Sequence, residues 1–426
     1  MAYNLSSFNV YSEAPCFVAN TMTGGIVQLE LGELKKLCSL DFDFQEDEID
    51  ILREQGIIID DNVNEVELLR NAYDHIKHSR DSTTFTIAPT LDCNFACPYC
   101  YEKPNNKYMT LETQHDTIEF IKKAVLSNNL TKVVVCWYGG EPLLATDIIR
   151  SISKELIFAL TDIQVEYSAS IITNGYLIDE KVIQLFEECM IHHVQITIDG
   201  KRETHNSRRM IRNGKGTFDV IVENAKRVAS AGISVSIRTN IDKTNIMEHT
   251  SVVQLFKDTP FVDCYTAPVT LEETQNEKVK SFCYTPKELS QYYRTLISLE
   301  GWDNISERSL KTIDPVISSC AAEHEYSFVI GPTGSLFKCL NEVGHIELSV
   351  GDVKTGLANN THSSLFMDRD PFTEEECSKC AYLPVCYGGC LFEYKKNKLH
   401  ACNGMKFMYI EKCKTILQGG EKCEGN

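Results

Sequence analysis

The chain has 426 residues, 43% of them hydrophobic and 24% charged, with a net charge of −18. That length supports two or three domains. The negative balance argues against nucleic acid as a partner, because phosphate contacts need clustered Lys and Arg. No apolar run approaches the ~20 residues that cross a bilayer, and Met1 to Val10 lack the basic-then-apolar profile of an export signal. A cytoplasmic chain with no membrane partner is the expectation. Eighteen cysteines stand out, and in a reducing compartment short regular spacings between them point to metal rather than disulfides.

Residues 1–80 carry fifteen Asp/Glu against six Lys/Arg, a local charge of −9. This is either a solvated acidic face or a docking face for a basic or mixed-charge peptide. After the Thr23-Gly24-Gly25 turn, Ile26–Leu29 reads as a strand and Leu31–Leu40 as a helix. A second helix is expected over Glu46–Gln55, with Gly56 as its C-cap and a strand at Ile57-Ile58-Ile59. Two helices and a short β-wing suggest a winged-helix shape.

Residues 81–270 alternate strand-like and helical patterns. Strands are expected at Phe85–Ala88, Val133–Tyr138, Val165–Ile172, Val194–Ile198, Val235–Thr239 and Phe261–Ala267. Helices are expected near 111–127, 146–160, 179–190, 217–231 and 246–257. This rhythm predicts an α/β fold, a parallel sheet wound as an open or partial barrel with its chemistry at the C-terminal strand ends. Residues 271–319 read as a connector with a helix near 286–299. Residues 320–426 read as a separate domain of short strands and Gly-rich turns. Ten of the cysteines lie beyond residue 270.

Directly after the first barrel strand comes Cys93-x3-Cys97-x2-Cys100. Three thiolates on one loop can hold three irons of a cubane cluster and leave the fourth iron open, and an open metal position is where substrate or cofactor binds. Zinc favours C-x2-C pairs and four ligands, so the three-residue gap counts against it. At the end of the second strand stands Gly139-Gly140-Glu141-Pro142. The two glycines permit close backbone approach to a ligand, and the carboxylate can receive an ammonium group. Thr173-Asn174-Gly175, Thr197-Ile198-Asp199-Gly200 and Arg209 follow at later strand ends.

Together these motifs resemble the radical S-adenosylmethionine (SAM) superfamily, whose members bind SAM on the open iron of a [4Fe–4S] cluster and cleave it reductively to a 5′-deoxyadenosyl radical. The resemblance implies a partial (β/α)6 TIM barrel in which Cys93, Cys97 and Cys100 hold the cluster. Gly139, Gly140 and Glu141 would hold the SAM amino group and Tyr99 would lie against the adenine. Thr197 and Arg209 would contact the SAM carboxylate, and Asn174 would belong to the same site.

Further on come Cys320, Cys339, Cys377-x2-Cys380-x5-Cys386-x3-Cys390 and Cys402. This set resembles the SPASM extension, which carries two auxiliary [4Fe–4S] clusters, for three in all. By that resemblance Cys377, Cys380, Cys386 and Cys402 ligate the outer cluster, Cys402 being preferred to Cys413, and Cys320, Cys339 and Cys390 ligate the inner one. Sulfatase-maturing members carry another cysteine about six positions after the first and an aspartate directly after the position of Cys339; this chain has Tyr326 and Leu340. The inner cluster then has an open iron for a substrate thiolate, or Cys283 or Cys264 completes it. Cys16, Cys38, Cys136, Cys189, Cys413 and Cys423 read mostly as small buried hydrophobes.

The first 80 residues resemble, by element order, the PqqD-like peptide-recognition domain of maturases acting on ribosomally made peptides. There a leader peptide adds a strand to the β-wing and packs on the third helix. The resemblance implies a precursor peptide as substrate and a flavodoxin- or ferredoxin-like electron donor. The expected product is a crosslinked peptide with a cysteine thioether. Carbon–carbon or carbon–oxygen crosslinking is the near alternative, formylglycine formation a further one, and a non-catalytic iron–sulfur electron carrier the alternative from another class.

Overall fold

The computed structural model describes residues 3–41, 43–102, 104–269, 277–285, 288, 295, 320–397, 402 and 405–420. The expected connector helix near 286–299 and Cys423 therefore lie outside the described residues, isolated positions apart. The chain divides into two compact units, Met1–Lys77 with Thr285–Cys320 and Arg369–Asn426, and His78–Tyr284 with Ala321–Asp368.

In the first unit β1 (Tyr3–Leu5) pairs antiparallel with β5 (Ile58–Asp60), and β2 (Asn9–Glu13), β3 (Cys16–Asn20) and β4 (Ile26–Gln28) form an antiparallel meander. Helices α1 (Leu31–Cys38), α2 (Glu46–Glu54) and α3 (Glu65–Lys77) follow. Reciprocal capping boxes, Glu30 with Glu33 and Gln45 with Glu48, start α1 and α2. The helix expected over Leu31–Leu40 stops at Cys38, and Leu40 takes φ 59°. Gly56 does turn the chain out of α2, at φ 72° with its N–H on Arg53 O. β1, β2, β3 and α3 were not legible in the sequence pattern. Most of the sheet precedes the helices, where the sequence reading placed a wing after them.

Alternation along β3 divides its side chains between two cores. Val18 packs with Leu34, Leu37, Leu52, Ile57 and Ile58, whereas Phe17 and Ala19 pack with Val10, Val385, Tyr409 and Cys413. The first 77 residues therefore share a core with the helix Met405–Gly420. The fully buried Asn20 links β3 to its surroundings. Its Nδ2 donates to Ser6 Oγ and Gly56 O, both at 2.7 Å, and its Oδ1 accepts from the Met22 and Thr23 amides. Its carbonyl accepts from the Tyr409 hydroxyl at 2.9 Å.

The second unit is built on one ten-stranded sheet. Its six parallel strands, β6 (Thr83–Ile87), β7 (Lys132–Trp137), β8 (Glu166–Thr173), β9 (Ile191–Thr197), β10 (Ser234–Ile241) and β11 (Val262–Pro268), lie in sequential order. These are the six expected strands. The helices between them, α4 (Leu111–Asn128), α5 (Thr146–Asp162), α6 (Glu180–Glu188), α8 (Phe218–Ser230) and α9 (His249–Phe256), match as well, with α7 (Arg202–Arg208) added. Each strand buries one face against helices, as in Tyr167, Ala169 and Ile171 of β8, and leaves the alternate residues Ser168, Ser170 and Ile172 half-buried on the other. Beyond β6 the sheet continues through β12 (Phe328–Ile330), parallel to β6, and antiparallel β13 (Ser335–Phe337), β14 (Gly351–Asp352) and β15 (Gly356–Leu357). No described helix is long and apolar enough to cross a membrane.

Truncating Asn20 removes hydrogen bonds to the buried Ser6 hydroxyl and Asn9 side chain and to the part-buried Met22 and Thr23 amides and Gly56 carbonyl, each worth about 0.5–1.5 kcal/mol. Asn20→Ala is expected to destabilise the first unit by roughly 2–4 kcal/mol. Amide hydrogen exchange should speed up in β2–β4 and Met405–Gly420 while β6–β11 keep their protection.

Candidate functional site

The three-cysteine loop leaves the C-terminal end of β6 and is held on two sides. Thr90 Oγ1 donates to Lys107 O at 2.8 Å and accepts from the Asp92 amide. The Ala96 amide donates to Met210 O, Phe95 bridges Ile211, and Arg212 pairs with Asp92 at 2.7 Å. Cys93 and Cys97 are half-buried and Cys100 is exposed. Burial, then Glu141, then the neighbouring Cys97 and Cys100 push the Cys93 thiol up to about 12. The three sulfurs therefore act on one another, and a metal must displace protons to bind them. Among the described residues no set of three or more His, Cys, Asp or Glu closes around a single ion.

Gly139 and Gly140 interlock with that loop. A Cβ on Gly139 would lie 2.2 Å from Thr90 O, and one on Gly140 2.4 Å from Asp92 O. The Glu141 amide donates to Asp92 O at 2.8 Å. The Glu141 carboxylate is fully buried and accepts from the Leu143 amide (3.0 Å), Thr173 Oγ1 (2.7 Å) and the Asn174 amide (2.7 Å). An ionised carboxylate offers about four lone-pair sites, so three are already used within the protein. Asn174 Nδ2 in turn donates to Asn94 Oδ1 at 2.7 Å, tying β8 to the cysteine loop.

Tyr99 takes a central position. Its hydroxyl donates to Asp199 and accepts from Arg209 at 2.7 Å and from Asn240 Nδ2 at 3.3 Å, and the Arg208 guanidinium lies 4.9 Å over its ring. Arg208 is neutralised by Asp242 at 2.6 Å and by Asp199 at 3.4 Å. Arg209 is buried, and its Nε has no hydrogen-bond partner among the described residues. An orphaned, buried guanidinium N–H fits a carboxylate ligand, so the residues present suit SAM. Thr197 is buried at the end of β9, in register with Arg238 of β10.

The structure thus gathers Tyr99, Gly139, Gly140, Glu141, Asn174, Thr197 and Arg209 with Cys93, Cys97 and Cys100 at the C-terminal ends of β6–β9. Sequence reasoning missed Arg208, Asn240, Asp242 and His205. Asp199 stands within a strand-end motif that pointed to the right place without assigning it a role.

Of the later cysteines, Cys377, Cys380, Cys386 and Cys402 line one small cavity with Glu376 and Lys406. Cys413 lies instead in the core beside Phe17 and Tyr409. Cys320 and Cys390 belong to the first unit and Cys339 to the second. Cys264 sits in the main core; Cys283 is buried, its Sγ donating to Val279 O at 3.5 Å.

His205 is buried, and its imidazole is pushed down to about 3 by burial and then by Arg209 and Arg208. The Asp199 amide donates to its Nδ1, so Nε2 carries the proton and donates to Thr217 Oγ1 at 3.0 Å. Thr217 Oγ1 donates in turn to Arg209 O at 2.5 Å. The ring must be neutral in the fold, whereas an unfolded histidine takes up a proton below about pH 6.5. Its contribution is therefore complete above that pH and is lost as the pH falls toward 3. His205→Gln is expected to remove roughly 2 kcal/mol of the stability loss seen between about pH 7 and pH 5, as measured by urea titration at both pH values.

The sequence profile of the Radical SAM superfamily matches residues 87–253. A cysteine-type anaerobic sulfatase-maturating enzyme of Clostridium novyi (strain NT) is 26% identical over 334 residues, covering 72% of this chain and 88% of that one. Among solved structures, native anSMEcpe with bound AdoMet and Cp18Cys peptide shares the fold at TM-score 0.61 and 20% identity, over 80% of this chain and 98% of that one. Streptococcus suis SuiB bound to precursor peptide SuiA does so at TM-score 0.53 and 16% identity, over 94% and 98%. Residues 87–253 are a radical SAM domain, and the chain is a radical SAM superfamily enzyme.

Proposed function

We propose that this enzyme modifies a ribosomally made precursor peptide, crosslinking it oxidatively through a cysteine thioether. The observation that carries the radical chemistry is the lacing of the Cys93–Cys100 loop to Gly139–Glu141, with the orphaned Arg209 Nε beside it. Cys93, Cys97 and Cys100 hold a [4Fe–4S] cluster that, with SAM, supplies a 5′-deoxyadenosyl radical able to take hydrogen from carbon. Arg209 and Thr197 receive the SAM carboxylate, matched by the planar guanidinium fork. Gly139, Gly140 and the remaining lone pair of Glu141 receive its amino group. Asn174 keeps the strand end in place, and Tyr99, held by Asp199 and Arg208, offers a fixed ring to the adenine.

The shared cavity of Cys377, Cys380, Cys386 and Cys402 supports an outer auxiliary cluster and favours Cys402 over Cys413. Cys320, Cys339 and Cys390 hold an inner one. Tyr326 and Leu340, in place of the cysteine and aspartate of sulfatase-maturing enzymes, leave its fourth position to a substrate thiolate. The N-terminal meander and α3 suit capture of a leader peptide as an added strand, and the relative SuiB binds a precursor peptide. A flavodoxin- or ferredoxin-like protein is the proposed electron source.

Formylglycine formation is the second reading, because the sulfatase-maturating relative aligns over most of its own length. The test is the mass of the product made from the small peptides encoded beside the gene. A thioether keeps the sulfur and loses a pair of hydrogens, whereas formylglycine made from cysteine loses the sulfur. A Cys-free precursor would sink the thioether assignment. Reconstituted chain with dithionite and SAM is expected to release 5′-deoxyadenosine, and Cys93→Ala to release none. Full loading should give about twelve irons per chain. Cys402→Ser should lose about four of them, and Cys413→Ser should keep them all.

A further inference from the structure

Arg238 has no place in the chemistry assigned so far. It stands in the C-terminal half of β10, on the sheet face turned away from the helices, in register with Thr197 on one side and Tyr265 on the other. Its neighbours on that face are Ser170 and Ile172 of β8, Gln195 of β9 and Ser236 of β10, with the Tyr265 hydroxyl donating to Gln195 Oε1 at 2.6 Å; the acid on the face, Asp263, is exposed, stands one register step back beside Ser236, and makes no ion pair with Arg238 among the described residues. Arg238 Nε donates to Asn240 Oδ1 at 2.8 Å, and Asn240 Nδ2 reaches the Tyr99 hydroxyl. The guanidinium is thereby held beside the SAM site through Asn240 and Tyr99.

Charge pairing at this mouth is uneven. Of the three arginines there, Arg208 pairs with Asp242 and Asp199. Among the described residues neither Arg209 nor Arg238 pairs with an acid. A half-buried guanidinium without an anion carries a desolvation penalty that a ligand carboxylate would remove. SAM brings one carboxylate, which Arg209 and Thr197 account for. One arginine remains.

We propose that Arg238 receives a carboxylate of the bound peptide, so that the enzyme selects an acidic group close to the carbon it attacks. This rests on the reading of the site as a SAM site. The carboxylate comes from an Asp or Glu side chain or from a peptide C-terminus. Arg suits either source, because its two parallel N–H groups match both carboxylate oxygens.

The test uses the iron-loaded full chain, saturated with SAM and left unreduced, in calorimetric titrations. The probes are acetylated pentapeptide amides of glycine with a central Asp, Glu or Asn, and acetyl-pentaglycine as free acid and as amide. The native chain is expected to bind an acid-bearing peptide about tenfold tighter than its neutral counterpart, the strength of one charge-assisted pair. Arg238→Gln should lose that preference while keeping its SAM affinity, and Arg238→Lys should restore part of it. A preference confined to the free-acid pentaglycine identifies the C-terminus as the source. Equal or absent binding of all probes by the SAM-bound native chain overturns the proposal, as does a preference that survives Arg238→Gln. Loss of SAM affinity in Arg238→Gln would give the residue to SAM instead and also overturn it. SAM affinity read in the same titrations separates failure of the site reading (no SAM bound) from failure of the Arg238 assignment (SAM bound, no acid preference).

Discussion

The buried Glu141 carboxylate is the constraint on which the site depends. It draws together the end of β7, the Thr173-Asn174 turn after β8 and, through its own amide on Asp92 O, the cysteine loop after β6. Burial raises the cost of its charge and the three donated hydrogen bonds offset it. Because its partners sit at the end of β8 and on the segments that follow β6 and β7, a shift of any one of these strands would leave a charge or an amide unsatisfied. The glycines before it serve the same closure, since any Cβ there would strike the backbone of the loop that carries the cysteines.

A second layer of order comes from groups that never need to touch a ligand. Asp199 accepts from Tyr99, Arg208 and the Asn240 amide, and neutral His205 connects the Asp199 amide through Thr217 to the carbonyl of Arg209. Arg208, stacked on Tyr99 and anchored by Asp242, limits that ring to one orientation. Such networks hold a binding geometry before the ligand arrives, which is where tight positioning originates.

The parallel sheet was legible because its strands are buried on the helix side and separated by amphipathic helices, a rhythm that survives in a single sequence. The cysteine spacing and Gly139-Gly140-Glu141 were legible because few other structures need those residues in that order. Of the N-terminal meander only β4 was legible. Asn9–Glu13 and Cys16–Asn20 are short, and β3 is apolar on both faces because both are covered, so the alternation that marks a half-exposed strand is missing. The covering element, Met405–Gly420, lies nearly 400 residues away along the chain. Arg208, Asn240 and His205 were equally silent, since their roles come from long-range pairing rather than from local pattern.

That distance has a consequence for how the protein is made. A ribosome releases the N-terminal strands first, as it does for any chain. Here the apolar face formed by Val10, Phe17 and Ala19 acquires its cover of Tyr409 and Cys413 only after nearly 400 further residues have been made. Until then the nascent sheet exposes an apolar face to water. A chain stopped before Met405–Gly420 would keep that face bare, so the N-terminal unit matures only after that helix has been made.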